Sequence, residues 1–235
     1  MFVHGAGFDH SVWVMPARYF ARHGFNVIAA DLPAHGRSEG PGLDSVEAMA
    51  DWLAALVIQE GLGPLAAVGH SMGSLVVGAL AKQHPQLVDK IVLLGASAPM
   101  AVGPPLLEAA LDDHPAAFAM ANTWSHSTKG RLGSAQNPGL SNFVSGERWL
   151  ERMTPSTYHA DLKACNDFQL SWDKLQVKAL IIAGTEDKMT PLRAGMSLAA
   201  SLTNGQTVIL QGSGHAMLSE QPNEVLDALA EFINV

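Results

Sequence analysis

Short apolar runs recur along the chain and predict a sheet whose strands are buried on both faces. They cover residues 1–3, 26–30, 65–68, 90–95, 177–184 and 207–210. Each run is almost continuously apolar and does not alternate with polar residues, as is typical of parallel strands covered on both sides. The pattern predicts an α/β protein with a mostly parallel sheet of about six strands.

Helical patterns fill the intervals between these runs. They cover residues 11–23, 45–59, 72–84, 191–202 and 223–233, and Ser45 has the side chain of an N-cap. Strands and helices therefore alternate along most of the chain. This alternation predicts that helices flank the sheet.

The pattern changes between residues 98 and 172. Four prolines open this stretch, helical patterns follow around 106–123 and 147–167, and a region rich in Gly, Ser and Asn separates them. The stretch has no strand pattern, and it contains three of the five tryptophans. We interpret it as a helical cap, residues 98–172, on a core formed by residues 1–97 and 173–235. The alternative is a loop excursion, but loops of this length without a role are uncommon.

Composition excludes several classes of partner. A net charge of -8 with no run of Lys or Arg argues against nucleic acid and against an anionic membrane, and it favours a small neutral substrate. The single cysteine, Cys165, cannot form an internal disulfide. The first residues lack a signal-peptide pattern, and the longest apolar stretch is interrupted by polar residues. We therefore expect a cytoplasmic protein that does not bind a membrane.

The most informative motif follows the third apolar run. The residues Gly69-His70-Ser71-Met72-Gly73 have the pattern G-x-S-x-G, which exposes a serine hydroxyl on a sharp turn between a strand and a helix. The two glycines leave room for the helix to pass close to the strand. The alternative is an ordinary glycine-rich turn, so the motif needs partners elsewhere in the chain.

A serine nucleophile needs a base and a group that orients the base. Asp187 follows one predicted strand and His215 follows the next, and catalytic groups of parallel sheets lie at the carboxyl ends of strands. The chain order Ser71, Asp187, His215 is the order expected for this motif. We predict that these three residues are catalytic, with Glu186 as the rival acid. Asp31 more simply caps a turn.

The remaining histidines have simpler explanations. His70 adjoins the serine and is expected to pack against the loop at residues 4–7, while His4 and His35 are expected to hydrogen-bond loop backbone. None of the ten histidines stands in an H-E-x-x-H or comparable array. We therefore expect neither a metal nor a cofactor.

Attack on an ester carbonyl places negative charge on oxygen, which backbone N–H groups can stabilise. One donor should be the N–H of Met72, the residue after the nucleophile. The second should come from the loop that follows the first strand, residues 4–7, and we predict Ala6. A plain tight turn is the alternative for this loop.

Five motifs together identify a family resemblance. They are HGAG at 4–7, DLPAHGRS at 31–38, GHSMG at 69–73, GTEDKMTP at 184–191 and GSGHAMLSEQP at 212–222. With these motifs the chain resembles the α/β-hydrolase fold superfamily, in its branch of small serine esterases. The HGA loop and short cap also resemble the methylesterase and hydroxynitrile lyase group, which supports Ala6 as a donor. The dehalogenases of this fold have aspartate where Ser71 stands.

The resemblance and the predicted triad together favour one activity. We expect a serine hydrolase that cleaves a carboxylic ester of a small, fairly apolar molecule through an acyl-enzyme. Two alternatives stay open. A hydroxynitrile lyase or perhydrolase would use the same triad, and a hydrolase-like receptor would bind a ligand with slow turnover.

Members of the superfamily usually begin with an antiparallel pair of strands, and this chain has no room for it before residue 1. The strand at 26–30 should then lie at one edge of a six-stranded sheet. It has no lysine or proline to protect it from pairing. We expect a second copy of the chain or a covering segment along it, unless the natural gene starts upstream of Met1.

Overall fold

The computed structural model describes residues 1–112, 115–133, 136 and 141–234, and it contains one parallel sheet. The sheet has six strands in the order β2-β1-β3-β4-β5-β6. Their bounds are β1 Phe2–Val3, β2 Ala29–Ala30, β3 Leu65–His70, β4 Val88–Leu94, β5 Lys178–Gly184 and β6 Gly205–Leu210. The fold class and strand count predicted from the sequence are confirmed.

Eleven α-helices occur in the described residues, with short 3₁₀ turns at His10–Trp13, Pro85–Leu87 and Trp172–Lys174. Those before β5 are α1 Val14–Arg22, α2 Val46–Gln59, α3 Met72–Gln83, α4 Pro104–Leu111, α5 Pro115–Ser125, α6 Thr128–Arg131, α7 Asn142–Leu150 and α8 Pro155–Asp167. Those after β5 are α9 Leu192–Ser201, α10 Met217–Glu220 and α11 Pro222–Ile233. No helix among the described residues is long and apolar enough to cross a bilayer.

Strand β2 lies at the edge of the sheet, as the sequence predicts. It has two residues and not the five predicted, because its neighbour β1 is itself only two residues long. Phe2 pairs with Ala29 and Val3 with Ala30, and one further bond joins Phe2 N–H to Ile28 O at 2.7 Å. Pairing of a second chain along this edge stays a prediction.

The sheet separates two apolar cores, and side chains of the inner strands alternate between them. In β4, Ile91 and Leu93 pack on one face, while Val92 and Leu94 pack on the other. Helices α2, α3 and α9 cover the first face, and α1 and α11 cover the second. Each fully buried leucine or isoleucine stabilises the fold by about 1.5–3 kcal/mol relative to exposure. This two-sided burial explains why the central parts of the inner strands, such as residues 91–94, are continuously apolar.

The segment between β4 and β5 contains helices and connecting loops but no strand among its described residues, and it has its own apolar core. We call residues 98–172 the helical segment. Its core includes Leu106, Leu150 and Leu162, which pack near Ala6 and Phe8 of the loop after β1. The sequence predicts one helix over 147–167, but the structure has two, because Thr154 caps α8 and Pro155 occupies its first turn. The division into core and cap units stays a prediction.

A second predicted helix, 106–123, is also two helices, α4 and α5. Residues 113–114 between them lie outside the described part of the chain, as do 134–135 and 137–140 of the region rich in Gly, Ser and Asn. The described remainder of that region contains the end of α5, helix α6, the start of α7 and the residues that connect them.

All six strands run in the same direction, so their carboxyl ends lie at one edge of the sheet. The loop at residues 4–7, Ser71, Asp187 and His215 each follow the end of a strand. The helical segment also leaves the sheet at this edge, after β4. The candidate catalytic residues and the helical segment therefore lie at the same edge of the sheet.

Candidate active site

Ser71 stands alone between β3 and α3 on a strained backbone. Its φ is +53°, a left-handed conformation that residues other than glycine rarely adopt and that costs about 1–3 kcal/mol. Its N–H donates to Leu94 O at 2.8 Å, which fixes the corner to the neighbouring strand. The strained turn predicted from G-x-S-x-G is present.

The corner requires glycine on both sides of the serine. A Cβ on Gly69 would fall on the backbone of Gly73, and a Cβ on Gly73 would fall on the carbonyl oxygen of Val3. Strand β3, helix α3 and strand β1 therefore meet through backbone alone. This contact aligns the first residue of α3 with the loop that follows β1.

His215 and Asp187 form a buried hydrogen-bonded pair. Nδ1 of His215 lies 2.8 Å from Oδ2 of Asp187, and both side chains are at most 4 % exposed. A carboxylate only accepts, so Nδ1 carries the proton and donates. In the neutral ring, Nε2 is then free of a proton and can act as a base.

Asp187 is held in its ionised form by several donors. Met189 N–H and Thr190 N–H donate to Oδ1, at 2.8 and 2.7 Å, and the Thr190 hydroxyl donates to Oδ2 at 2.7 Å. Burial alone would raise the pKa of Asp187, but the charge and hydrogen bond of His215 and the Thr190 donors hold that pKa below its usual value. Thr190 lies within the motif at 184–191, but its role as a donor to Asp187 was not predicted from the sequence.

The rival acid, Glu186, has a different partner. Its side chain accepts a hydrogen bond from the N–H of Thr128 at 2.9 Å, at the start of α6. Its pKa is lowered mainly by this backbone hydrogen bond. The structure thus brings Asp187, and not Glu186, to the imidazole of His215.

Ser71 and His215 line the same cavity of about 350 Å³. Ala6 lines it too, and its N–H has no acceptor among the described residues. Met72 is the first residue of α3, so its N–H has no acceptor within the helix. The rest of the wall is mostly apolar and comes largely from the helical segment, including Leu106, Trp124, Leu150, Tyr158 and Leu162.

His70 supports the loop that carries His215. Its Nε2 donates to His215 O at 2.9 Å, and the two rings lie 4.8 Å apart. Its Nδ1 also lies 3.3 Å from where a Cβ on Gly5 would stand, so it adjoins the loop at 4–7 as expected. Burial, followed by the nearby charge of His215, lowers the pKa of His70 to about 3. His70 is therefore a neutral structural residue at neutral pH.

His4 and His35 hydrogen-bond loop backbone, and His35 has an additional partner. Nδ1 of His4 donates to Gly5 O at 2.9 Å, and its Nε2 accepts from Leu32 N–H at 3.1 Å. His35 contacts Pro33 O at 2.9 Å and, through Nε2, Asp161 Oδ2 at 2.8 Å. Asp161 belongs to α8, and no local pattern in the sequence indicates this contact.

Asp31 caps the turn that follows β2. Its oxygens accept from Arg37 N–H at 2.9 Å and from His10, whose backbone N–H lies at 2.6 Å and ring Nδ1 at 2.9 Å. Asp9 lies close enough to complete a three-residue cluster with His10 and Asp31. One oxygen of Asp9 is already taken by the N–H and hydroxyl of Ser11, so hydrogen bonds account for the arrangement.

Two further residues connect the site to its surroundings. Glu220 is buried, and its carboxylate accepts from Gly214 N–H at 2.6 Å and from Ser127 N–H at 2.8 Å. It thereby joins the loop before His215 to the helical segment.

Cys165 lines the cavity, and burial raises the pKa of its thiol, which keeps it protonated.

Comparison with known proteins decides the family. The sequence model of the Alpha/beta hydrolase family matches residues 1–228. The chain belongs to this family. Within it, the chain is 24% identical over 246 residues to (E)-2-((N-methylformamido)methylene)succinate hydrolase of Acinetobacter baylyi, covering 98% of this chain and 88% of the relative.

Two other similar proteins extend this picture of the α/β hydrolase. Protein ABHD8 of Mus musculus is 26% identical over 254 residues, which cover 99% of this chain and 54% of ABHD8, so the chain spans about half of that relative. The solved structure of a thermophilic esterase is 27% identical with a TM-score of 0.80, and the match covers 99% of this chain and 88% of that one. The similar proteins include both hydrolases and esterases.

The glycine contacts at the corner predict a sharp loss on substitution. Gly73→Ala should unfold or strongly destabilise the protein, by about 3 kcal/mol or more, because backbone atoms of β1 must move to admit a methyl group. Urea denaturation followed by circular dichroism measures this. Gly42→Ala is the control, since its Cβ would meet only ordinary contacts at 3.6 Å. Equal stability of the two variants would contradict the backbone contact.

The buried neutral histidines predict that the folded protein loses stability as the pH falls. Burial lowers the pKa of His4 to about 4 and that of His70 to about 3, whereas an unfolded histidine titrates near 6.5. Between pH 6.5 and 5 the unfolded state therefore binds more protons, so the free energy of unfolding falls as the pH falls. Each group should contribute about 1.5 kcal/mol to this loss. Asp31 and Asp187, whose pKa values are lowered, act only at more acidic pH.

Replacing one of these buried histidines should weaken the dependence of the free energy of unfolding on pH. His70→Gln keeps an N–H donor for His215 O but cannot titrate, so the difference in urea stability between pH 6.5 and 5 should shrink by about 1.5 kcal/mol. The control is His23→Gln, because His23 is exposed and should leave the pH dependence unchanged. A His70→Gln variant with the parent's full pH dependence would show that His70 is not a buried neutral group.

Proposed function

We propose that this α/β hydrolase is a serine hydrolase that cleaves carboxylic esters of small, fairly apolar molecules. The observation that carries the proposal is that a serine on a strained corner and a histidine paired with a buried carboxylate line one cavity. Ser71 is the nucleophile, His215 the base, and Asp187 the group that orients His215.

Acylation follows from these atoms. Nε2 of His215 takes the proton of the Ser71 hydroxyl as Oγ attacks the ester carbonyl carbon. The imidazolium that forms is stabilised by the carboxylate of Asp187, and the N–H groups of Ala6 and Met72 donate to the developing oxyanion. Collapse of the tetrahedral intermediate breaks the ester bond, and His215 gives its proton to the leaving alcohol.

Deacylation repeats the same proton transfers with water. His215 removes a proton from a water molecule that attacks the acyl carbonyl, and when the second tetrahedral intermediate collapses the imidazolium of His215 returns that proton to Oγ of Ser71. The products are a carboxylic acid, an alcohol and the free enzyme. The α/β hydrolase needs no cofactor for this sequence.

The substrate class follows from the cavity wall. Its volume of about 350 Å³ suits a small molecule, and most of its lining is apolar. The helical segment acts as a cap that supplies much of this wall. Similarity to the thermophilic esterase supports ester cleavage, and similarity to the Acinetobacter baylyi hydrolase supports hydrolysis of a small organic molecule.

Removing the hydroxyl of Ser71 should abolish turnover without unfolding the protein. Ser71→Ala should lower the hydrolysis of p-nitrophenyl acetate by a factor of about 10⁴ or more, because no nucleophile remains. A fluorophosphonate should label the parent once per chain and leave Ser71→Ala unlabelled. Activity of the variant within tenfold of the parent would contradict the assignment. Labelling without turnover would favour a receptor, and cyanide release from cyanohydrins would favour a lyase.

The orienting acid can be tested with a matched pair of variants. Asp187→Asn should lower kcat by a factor of about 10³–10⁴, because an amide favours the wrong histidine tautomer. Glu186→Gln is the control, since its carboxylate bonds Thr128 and not His215. If Glu186→Gln were the damaging change, the assignment of the acid would be wrong.

A further inference from the structure

Three separate parts of the α/β hydrolase meet at the carboxylate of Asp161. Asp161 lies on α8 of the helical segment and is 1 % exposed. Its Oδ2 accepts from Gly7 N–H, in the loop after β1, at 3.1 Å. The same oxygen accepts from Nε2 of His35, in the loop after β2, at 2.8 Å. Its Oδ1 has no partner within the described part of the chain.

The hydrogen-bond partners determine the charge of His35. Its Nδ1 faces the carbonyl oxygen of Pro33 and its Nε2 faces the carboxyl group of Asp161, and these two acceptors favour the doubly protonated, positively charged ring. Burial lowers the pKa of His35, but the hydrogen bond and charge of Asp161 outweigh burial and raise it. Asp161 and His35 therefore form a buried ion pair.

The neighbouring histidine is neutral for the same kind of reason. His4 donates through Nδ1 and accepts through Nε2, and its ring lies 4.8 Å from that of His35. Burial and the charge of His35 lower the pKa of His4 to about 4. One positive ring therefore faces one negative carboxylate beneath the loop at residues 4–7.

The bond from Gly7 to Asp161 acts on the peptide next to the proposed oxyanion donor. The Gly7 N–H belongs to the peptide group that begins at Ala6, so its direction sets the backbone of Ala6. Gly7 has a φ of +74°, and a Cβ there would stand 2.8 Å from Leu150 and 2.9 Å from Tyr158. The helical segment thus packs directly on this peptide and also supplies the acceptor for it.

We propose that Asp161, paired with His35, is a positioning residue that holds the peptide between Ala6 and Gly7 so that the Ala6 N–H can donate to the oxyanion. This inference rests on the proposed function and deepens it. It makes the geometry of the oxyanion donor depend on the packing of α8 against the sheet.

The shared oxygen makes Asp161→Asn an informative variant of nearly unchanged size. An amide must turn either its oxygen or its NH₂ toward both donors. With the oxygen there, the imidazolium loses its counter-charge. With the NH₂ there, the N–H of Gly7 faces another donor. The NH₂ orientation removes the acceptor of Gly7, and the oxygen orientation replaces a charged acceptor with a weaker neutral one, so both loosen the Ala6–Gly7 peptide. A misplacement of 1 Å can cost a factor of about 100 in rate.

The experiment compares Asp161→Asn with Asp167→Asn in the full chain. Asp167 lies on the same helix but is exposed, and its partners among the described residues are the side chains of Lys163 and Asn166, so it is the matched control. Active sites are counted by fluorophosphonate labelling, and kcat and KM for p-nitrophenyl acetate are normalised to that count. The inhibition constant of a trifluoromethyl ketone, which forms a tetrahedral adduct with an oxyanion, is measured in parallel.

We expect Asp161→Asn to lower kcat about tenfold or more, with KM within about twofold. The inhibition constant of the ketone should rise by the same factor as kcat/KM falls, and Asp167→Asn should match the parent. A lower melting temperature with unchanged kcat per labelled site would overturn the proposal, because that result describes a structural residue. A rise in KM alone would overturn it as well, since that result describes a substrate contact.

A second variant keeps the test decisive if Asp161→Asn does not fold. His35→Gln retains a donor for Asp161 and removes the positive charge, so a smaller loss of kcat in the same direction is expected. An unchanged kcat in His35→Gln would overturn the role of the pair. Failure of the proposed function is distinguishable, because the parent itself would then neither hydrolyse the ester nor depend on Ser71, and that result would end both proposals.

Discussion

The backbones of β3, α3 and β1 pack directly against one another without intervening side chains, and the rest of this α/β hydrolase depends on this contact. Gly69 and Gly73 have no room for a side chain, so α3 starts directly against the strands. That approach places Ser71 in a strained conformation. It also brings the first residue of α3 beside the loop after β1, which is the arrangement that the proposed pair of oxyanion donors requires. The apolar cores on both faces compensate for the strain.

Buried charges are the second organising feature, and each of them joins segments that are distant in sequence. Asp187 pairs with His215, Asp161 with His35, and Glu220 bridges the loop before His215 to the helical segment. Burying a carboxylate costs several kcal/mol unless it is paired and hydrogen-bonded. These carboxylates therefore specify one arrangement of loops around the cavity, since any displacement would leave a buried charge without its partners.

Sequence reasoning succeeded where a physical requirement is local or periodic. Parallel strands that are buried on both faces need apolar residues, so the apolar runs predicted the strands. The position of β2 at the edge followed from the expected strand order. Ser45 was recognised as a cap because its acceptor role depends only on the next three residues. The structure also brings Asp187 and His215 together, as their positions after consecutive strands suggested. The length predicted for β2 was wrong, because the length of an edge strand depends on how many residues of its partner, here β1, can pair with it.

Asp161 could not have been found in this way, and the reason is general. Its partners Gly7 and His35 lie 154 and 126 residues away, so no spacing within α8 distinguishes it from the exposed Asp167 on the same helix. Only tertiary packing separates an acid that solvates a surface from one that orders a site. The loop at residues 4–7 shows the same dependence: its glycines are visible in the sequence, but the acceptor that directs Gly7 comes from the helical segment. A motif thus points to candidate residues, while their arrangement in space depends on contacts that the motif does not contain.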